Sequence, residues 1–130
     1  MNYLLDANVV SDLLRGHEPV RSRYLALAST SFLLSPVVDY EIRRYLLLKG
    51  ATRNLAQFEA LIATWAPVLF DTSSWKLAAK LWADRHRVGL AIADADLLIA
   101  VSALEQDATL VTNNRSDFAG LGLRIEDWRS

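Results

Sequence analysis

At 130 residues, 52% hydrophobic and without cysteine, the chain suits one compact domain and excludes a disordered tail, a disulfide framework and a thiolate metal site. A formal net charge of -1 excludes a uniformly basic nucleic-acid surface, so any handling of nucleic acid would rest on local basic patches and on metal. Met1 to Asp6 lacks the basic start and long apolar core of a signal peptide, and no apolar run approaches the ~20 residues of a membrane span. The expectation is a soluble, cytoplasmic protein forming a single domain over residues 1–130, with no membrane association.

Helical patterns alternate with short apolar runs, which predicts an α/β fold: a short, mostly parallel β-sheet wrapped by α-helices. Tyr3 to Leu5 reads as a strand ending at Asp6. A helix follows through Val9, Val10, Leu13 and Leu14, with Gly16 as its stop. Arg21 to Ala28 reads as an amphipathic helix and Phe32 to Leu34 as the next strand. Ser35-Pro36 opens a helix with a cap and a first-turn proline, and Gly50 closes it after about Lys49. Leu55 to Trp65 predicts a helix that Pro67 cannot extend, and Val68 to Phe70 a third strand. Thr72 or Ser73 then caps a helix carrying Trp75, Ala78, Ala79 and Trp82. Beyond Gly89, Asp94 to Gln106 has the most convincing helical pattern, with Asp94 as its cap. Thr109 to Thr112 predicts a fourth strand and Leu123 to Ile125 a short last one.

Several acids occupy unusual places. Asp6 sits where an apolar strand gives way to a helix, and ligands of open parallel sheets bind at strand carboxyl ends. A cap for the following helix is the competing reading. Glu41, at about 100° per residue, shares a helix face with Val37, Val38, Tyr45 and Leu48. A carboxylate on an apolar face is costly unless it is paired or bound to a cation, the simple alternative being an ion pair with Arg44. Asp39 points away and reads as solvated. Asp96 aligns with Ala100 and Ala103 beside the stripe of Leu97, Val101 and Leu104, so it faces inward and Asp94 outward. Alternatively, both acids simply favour the helix start.

Thr112-Asn113-Asn114-Arg115-Ser116-Asp117 follows the fourth strand and is polar where that strand leaves the sheet. Asn114 or Asp117 could add an oxygen ligand there, although alone the stretch would be an ordinary turn. Scattered carboxylates at one end of a parallel sheet suit a hard divalent cation such as Mg²⁺. With no cysteine and only His17 and His86, both read as surface residues, zinc lacks its usual donors. No glycine-rich nucleotide loop and no serine nucleophile motif is present.

Leu4-Leu5-Asp6-Ala7-Asn8-Val9-Val10-Ser11, the lone Glu41, Ala93-Asp94-Ala95-Asp96-Leu97-Leu98-Ile99-Ala100 and Leu110-Val111-Thr112-Asn113-Asn114 through Asp117-Phe118 occur in order. Leu121-Gly122-Leu123-Arg124-Ile125-Glu126-Asp127-Trp128 completes the set. Over essentially its whole length the chain resembles the PIN-domain ribonucleases, most closely the VapC toxins of bacterial toxin–antitoxin pairs. The resemblance implies a Mg²⁺-dependent endoribonuclease, with Mn²⁺ as a substitute. Asp6, Glu41 and Asp96 match the family acids that hold metal and catalyse. Asn8 matches a residue supporting the first acid, and Thr112 the polar residue ending the fourth strand. Where the family often has a fourth acid this chain has neutral Asn114, which puts a second metal in doubt unless Asp117 compensates. RNA is expected to be steered by Arg43, Arg85, Arg87 and Arg115. The resemblance also implies a cognate antitoxin and a homodimer, for which the four tryptophans allow interface burial.

Two alternatives stand beside this reading. Asp6-Ala7-Asn8-Val9 is similar to the opening motif of haloacid-dehalogenase-like phosphatases. That chemistry needs an acid where Asn8 stands and a lysine later than Lys80, the last in the chain. The other alternative is a PIN-like scaffold that binds RNA or protein without cleaving, which Asn114 keeps open.

Overall fold

The computed structural model describes residues 1–129. Among them, β1 (Tyr3–Leu5), β2 (Phe32–Leu34), β3 (Ala66–Pro67), β4 (Thr109–Val111) and β5 (Ile125–Glu126) form one sheet in the order β3-β2-β1-β4-β5, every neighbouring pair parallel. The helices are α1 (Ala7–Leu14), α2 (Glu18–Leu25), α3 (Pro36–Leu48), α4 (Thr52–Ile62), α5 (Thr72–Arg87) and α6 (Asp94–Glu105). The α/β expectation holds.

β1 lies at the centre, Tyr3 opposite Phe32 on one side and Thr109 on the other. Leu4, Leu5, Phe32, Leu110 and Val111 are all buried, because helices cover the sheet and its strands carry continuous apolar runs. From β1 the chain winds outward through β2 to β3, then returns to place β4 and β5 on the opposite side. Its direction therefore reverses between β1 and β4. In such sheets the crevice at that reversal, beyond the strand carboxyl ends, is where ligands bind. Asp6 follows β1 and Thr112 follows β4, so both stand at this crevice.

α6 is buried around most of its circumference, at Leu97 and from Ile99 through Ala103. A helix apolar all round belongs in a core, and α6 packs against α5, β1 and β4. The small Ala100 and Ala103 permit that approach. Ser35 caps α3 as its sequence predicts, its hydroxyl accepting Val37 N–H at 3.3 Å. Phe58 of α4 is wholly buried, which contributes roughly 1.5–3 kcal/mol relative to exposure.

Several boundaries differ from expectation. α2 starts at Glu18, not Arg21, because Pro19 belongs in its first turn, and it ends at Leu25 with only Val20 buried. α4 spans Thr52–Ile62, not Leu55 to Trp65: Gly50, at φ +62°, reverses the chain tightly enough for a helix to restart at once. Trp65 lies beyond that helix, buried, with its indole N–H donating to Tyr24 Oη at 2.9 Å. The third strand is Ala66–Pro67, not Val68 to Phe70; an edge position tolerates proline, which has no N–H to give. α5 is capped by Asp71, not Thr72 or Ser73. Its carboxylate accepts Ser73 N–H at 2.9 Å, while Ser74 Oγ accepts Asp71 N–H at 3.0 Å, a reciprocal capping box. Ala93, not Asp94, is the cap of α6, and the last strand is Ile125–Glu126. Nδ1 of His17, expected at the surface, is buried without a hydrogen-bond partner. Among the described residues no helix is long and apolar enough to cross a membrane.

Candidate active site

Asp6 is 5% exposed, and its position follows from the local sequence. Its N–H extends the β1–β4 ladder to Val111 O at 2.9 Å, after which the chain turns into α1. The carboxylate accepts Ala7 N–H at 2.8 Å, so the capping reading is correct as far as it goes. It also accepts the Thr112 hydroxyl at 2.8 Å and Asn8 Nδ2 at 3.4 Å, contacts that capping does not require. Even so, burial pushes its pKa above the ordinary carboxylate value despite these donors, and the charge of Asp117 adds to the rise.

Glu41 is half-buried on α3, and burial raises its pKa, followed by the charge of Asp6. Arg44 acts in the opposite direction, so the alternative partner is present as a nearby charge. The face assigned to Glu41 needs correction. Val38, Ile42 and Leu46 form the buried side of α3, whereas Tyr45 and Leu48 are exposed. Glu41 thus flanks the core. Asp39 is not simply solvated, since it accepts Arg43 Nε at 3.0 Å.

Asp96 lies in the first turn of α6 and faces inward, while Asp94 is exposed. Its pKa is pushed up to about 6, by burial first and then by the charges of Asp6, Asp117 and Glu41. The N-terminal end of a helix ordinarily favours a carboxylate, so burial, with crowding of like charge behind it, outweighs that preference here. Asp6, Glu41, Asp96 and Asp117 therefore share one electrostatic environment, though they come from four separate segments.

Asp117 occupies a short 3-10 turn, Arg115–Phe118, anchored by buried Phe118. It lines a cavity of about 310 Å³ with Arg85, Asp96, Ser116 and the stretch from Leu90 to Ala93. Asn114 is exposed, and its backbone N–H donates to Thr112 Oγ1 at 3.0 Å. Of the two polar candidates in this loop, Asp117 is the one coupled to the other acids. A larger cavity, about 580 Å³, opens between α1 and α4 and holds none of them.

Among the described residues, no three His, Cys, Asp or Glu side chains converge as a ready cage for an ion. The fit to a divalent cation is looser. Partly buried carboxylates repel one another across a shared space, and an oxygen-seeking cation that keeps several waters would relieve that repulsion.

The arginines divide by surroundings. Arg85 donates through Nε to Leu90 O at 2.8 Å, hydrogen-bonds Ala119 O, and borders the cavity of Asp96 and Asp117. Arg115 is exposed on the turn beside it. Arg87 pairs with Asp84 of its own helix at 3.0 Å. Arg43 is held by Asp39 and Glu59 and lies over the Phe58 ring, which directs it to α4 and away from the acids.

The sequence reading passed over Asp12, which is wholly buried in α1. Val9 and Asp12 are three residues apart, so a carboxylate on the buried face of α1 could have been read from spacing alone.

Known proteins share this architecture. Ribonuclease VapC2 of Rickettsia felis is 27% identical over 133 residues, covering 98% of each chain. A crystal structure of VapBC2 from Rickettsia felis bound to a DNA fragment from their promoter superimposes with a TM-score of 0.86 at 26% identity, over 98% of this chain and 99% of that one. DNA-bound VapBC from Salmonella typhimurium gives 0.82 at 28% identity, over 98% of each chain. The PIN domain profile matches residues 3–122, an interval that contains Asp6, Glu41, Asp96 and Asp117, and by that match the chain belongs to the PIN-domain family.

Proposed function

We propose that this chain is a metal-dependent endoribonuclease and the toxin of a toxin–antitoxin pair, acting in the cytoplasm as a single domain over residues 1–130. One observation supports it above the rest: Asp6, Glu41 and Asp117 all act electrostatically on Asp96, at the reversal point of the sheet. Such clustering of like charge in a crevice supports a functional site, because it costs stability. The resemblance to a ribonuclease and to VapBC assemblies supplies the substrate class and the partner, a small cognate antitoxin. A homodimer is part of the same proposal.

Asp6 and Asp96 would hold Mg²⁺ or Mn²⁺, with Glu41 beside them and Asp117 in place of the acid missing at Asn114. When bound, the cation would activate water and stabilise charge on the scissile phosphate. Thr112 and Asn8 would orient Asp6 by donating to its Oδ2. Without a cation Asp96 keeps its proton to about pH 6, so binding of metal there would displace that proton. Arg85 and Arg115 stand where they could meet RNA phosphates. Arg43 and Arg87, tied to carboxylates elsewhere, have a weaker case.

The test is RNA cleavage by purified wild type and Asp6→Asn with Mg²⁺, Mn²⁺ or EDTA. Cleavage by wild type alone, abolished by EDTA, is the expected result. Equal cleavage by both proteins would remove Asp6 from the centre. RNA binding without cleavage by either would favour the non-catalytic scaffold.

A further inference from the structure

Asp12 is 0% exposed, and each of its oxygens is shared by two donors. Arg129 grips it with both arms of its fork, Nε to Oδ2 and Nη2 to Oδ1, each at 2.8 Å. Arg15 Nη2 reaches Oδ1 at 2.8 Å and Asn113 Nδ2 reaches Oδ2 at 3.0 Å. Its donors, Arg129 first, hold its pKa well below the usual carboxylate range against the opposing effect of burial. An ion held so firmly calls for a structural reason.

Asn113 supplies one. Its amide orientation is forced, because both oxygens of Asp12 are acceptors and only Nδ2 can face them; its own Oδ1 is left buried without a partner. Its backbone N–H donates to Asn8 Oδ1 at 3.3 Å, and Asn8 Nδ2 donates to Asp6. The residues on either side of Asn113 also serve Asp6. The Thr112 hydroxyl donates to Asp6 and accepts Asn114 N–H, and Asn114 O accepts Asp117 N–H at 3.0 Å. Asn113 is thus the fixed point of the loop that brings both Thr112 and Asp117 to the acids.

We propose that Asp12 is a positioning residue: clamped by Arg129, it anchors Asn113 and so sets the loop of residues 112–117 against Asp6. This rests on the nuclease reading for its consequence, but not for its geometry. Asp12 touches none of the acids and acts only through Asn113.

The experiment compares wild type, Asn113→Ala, Arg129→Ala and the double variant. Asp71→Ala, remote from the site at the start of α5, is the control for general loosening. Amide hydrogen exchange is followed at Asn114 and Asp117 and at Leu110 and Val111 of β4. Mn²⁺ affinity is measured by electron paramagnetic resonance, and kcat and KM on RNA. Asn113→Ala is expected to speed exchange at Asn114 and Asp117 roughly tenfold or more while β4 keeps its protection. Mn²⁺ affinity and kcat should each fall roughly 10–100-fold, with KM changed less than about twofold. The double variant should lose no more than the worse single one, because both act through one chain of contacts. Wild-type exchange and Mn²⁺ affinity in Asn113→Ala would overturn the proposal, as would losses spread evenly over core amides in the manner of Asp71→Ala. If wild type neither cuts RNA nor binds Mn²⁺, the nuclease reading fails, and exchange at Asn114 and Asp117 still decides the anchoring.

Discussion

Thr112 donates its hydroxyl to Asp6 Oδ2 at 2.8 Å across the seam where β4 and β1 end side by side. Thr112→Val keeps the shape of the side chain and removes this donor, together with the acceptor for Asn114 N–H. Because the hydroxyl bond favours ionised Asp6, its loss raises an already raised pKa further. Mn²⁺ affinity at neutral pH is expected to fall roughly 10–100-fold, measured by calorimetric titration. Unchanged affinity would mean that Asp6 needs no orienting partner.

Asp6→Asn removes a buried charge while leaving an oxygen that can cap α1. In EDTA the variant should therefore melt no lower than wild type, and added Mg²⁺ or Mn²⁺ should raise the Tm of wild type only. A variant that melts clearly lower in EDTA would show that Asp6 is chiefly structural.

Asp96 retains its proton to about pH 6 in the folded protein but only to 3.8, the ordinary value for its side chain, once the chain unfolds. Between those values the folded state binds more protons than the unfolded one, so metal-free stability falls as pH rises through the window. Thermal melts in EDTA from about pH 4 to about pH 7 should show this decline, and Asp96→Asn should make it shallower, the raised pKa values of Asp6 and Glu41 keeping part of it. A divalent cation should offset the decline at neutral pH, its own affinity weakening as Asp96 protonates. The same slope in wild type and variant would disprove the assignment to Asp96.

Trp75 is 55% exposed on α5, beside exposed Leu69 and half-buried Phe70. These residues line a cavity with Tyr40 and Leu98 that the proposed homodimer could cover. Trp75→Glu is expected to shift sedimentation toward the monomer at micromolar concentration while leaving the far-ultraviolet circular dichroism unchanged. A wild type that sediments as a monomer at all concentrations would dismiss the dimer.

The central strands were legible because a buried parallel strand is a short apolar run between turn residues, as at Tyr3–Leu5 and Phe32–Leu34. The start of α3 was legible from Ser35-Pro36. The limits of α2, α4 and β3 were obscured because apolar residues at Leu55, Trp65 and Val68 suggest element ends that tight reversals and an edge proline override. Asp6, Glu41 and Asp96 stood out as acids in apolar surroundings. The Asp12–Arg129 clamp did not, since its partners are 117 residues apart and only the closed fold brings them together.

The sheet's outer strands carry a consequence for self-association. β3 and β5 are each two residues long, and β3 contains Pro67. Neither offers the row of free N–H and C=O groups on which a foreign strand could template itself. The molecule is thereby protected against strand-by-strand polymerisation at either edge of the sheet.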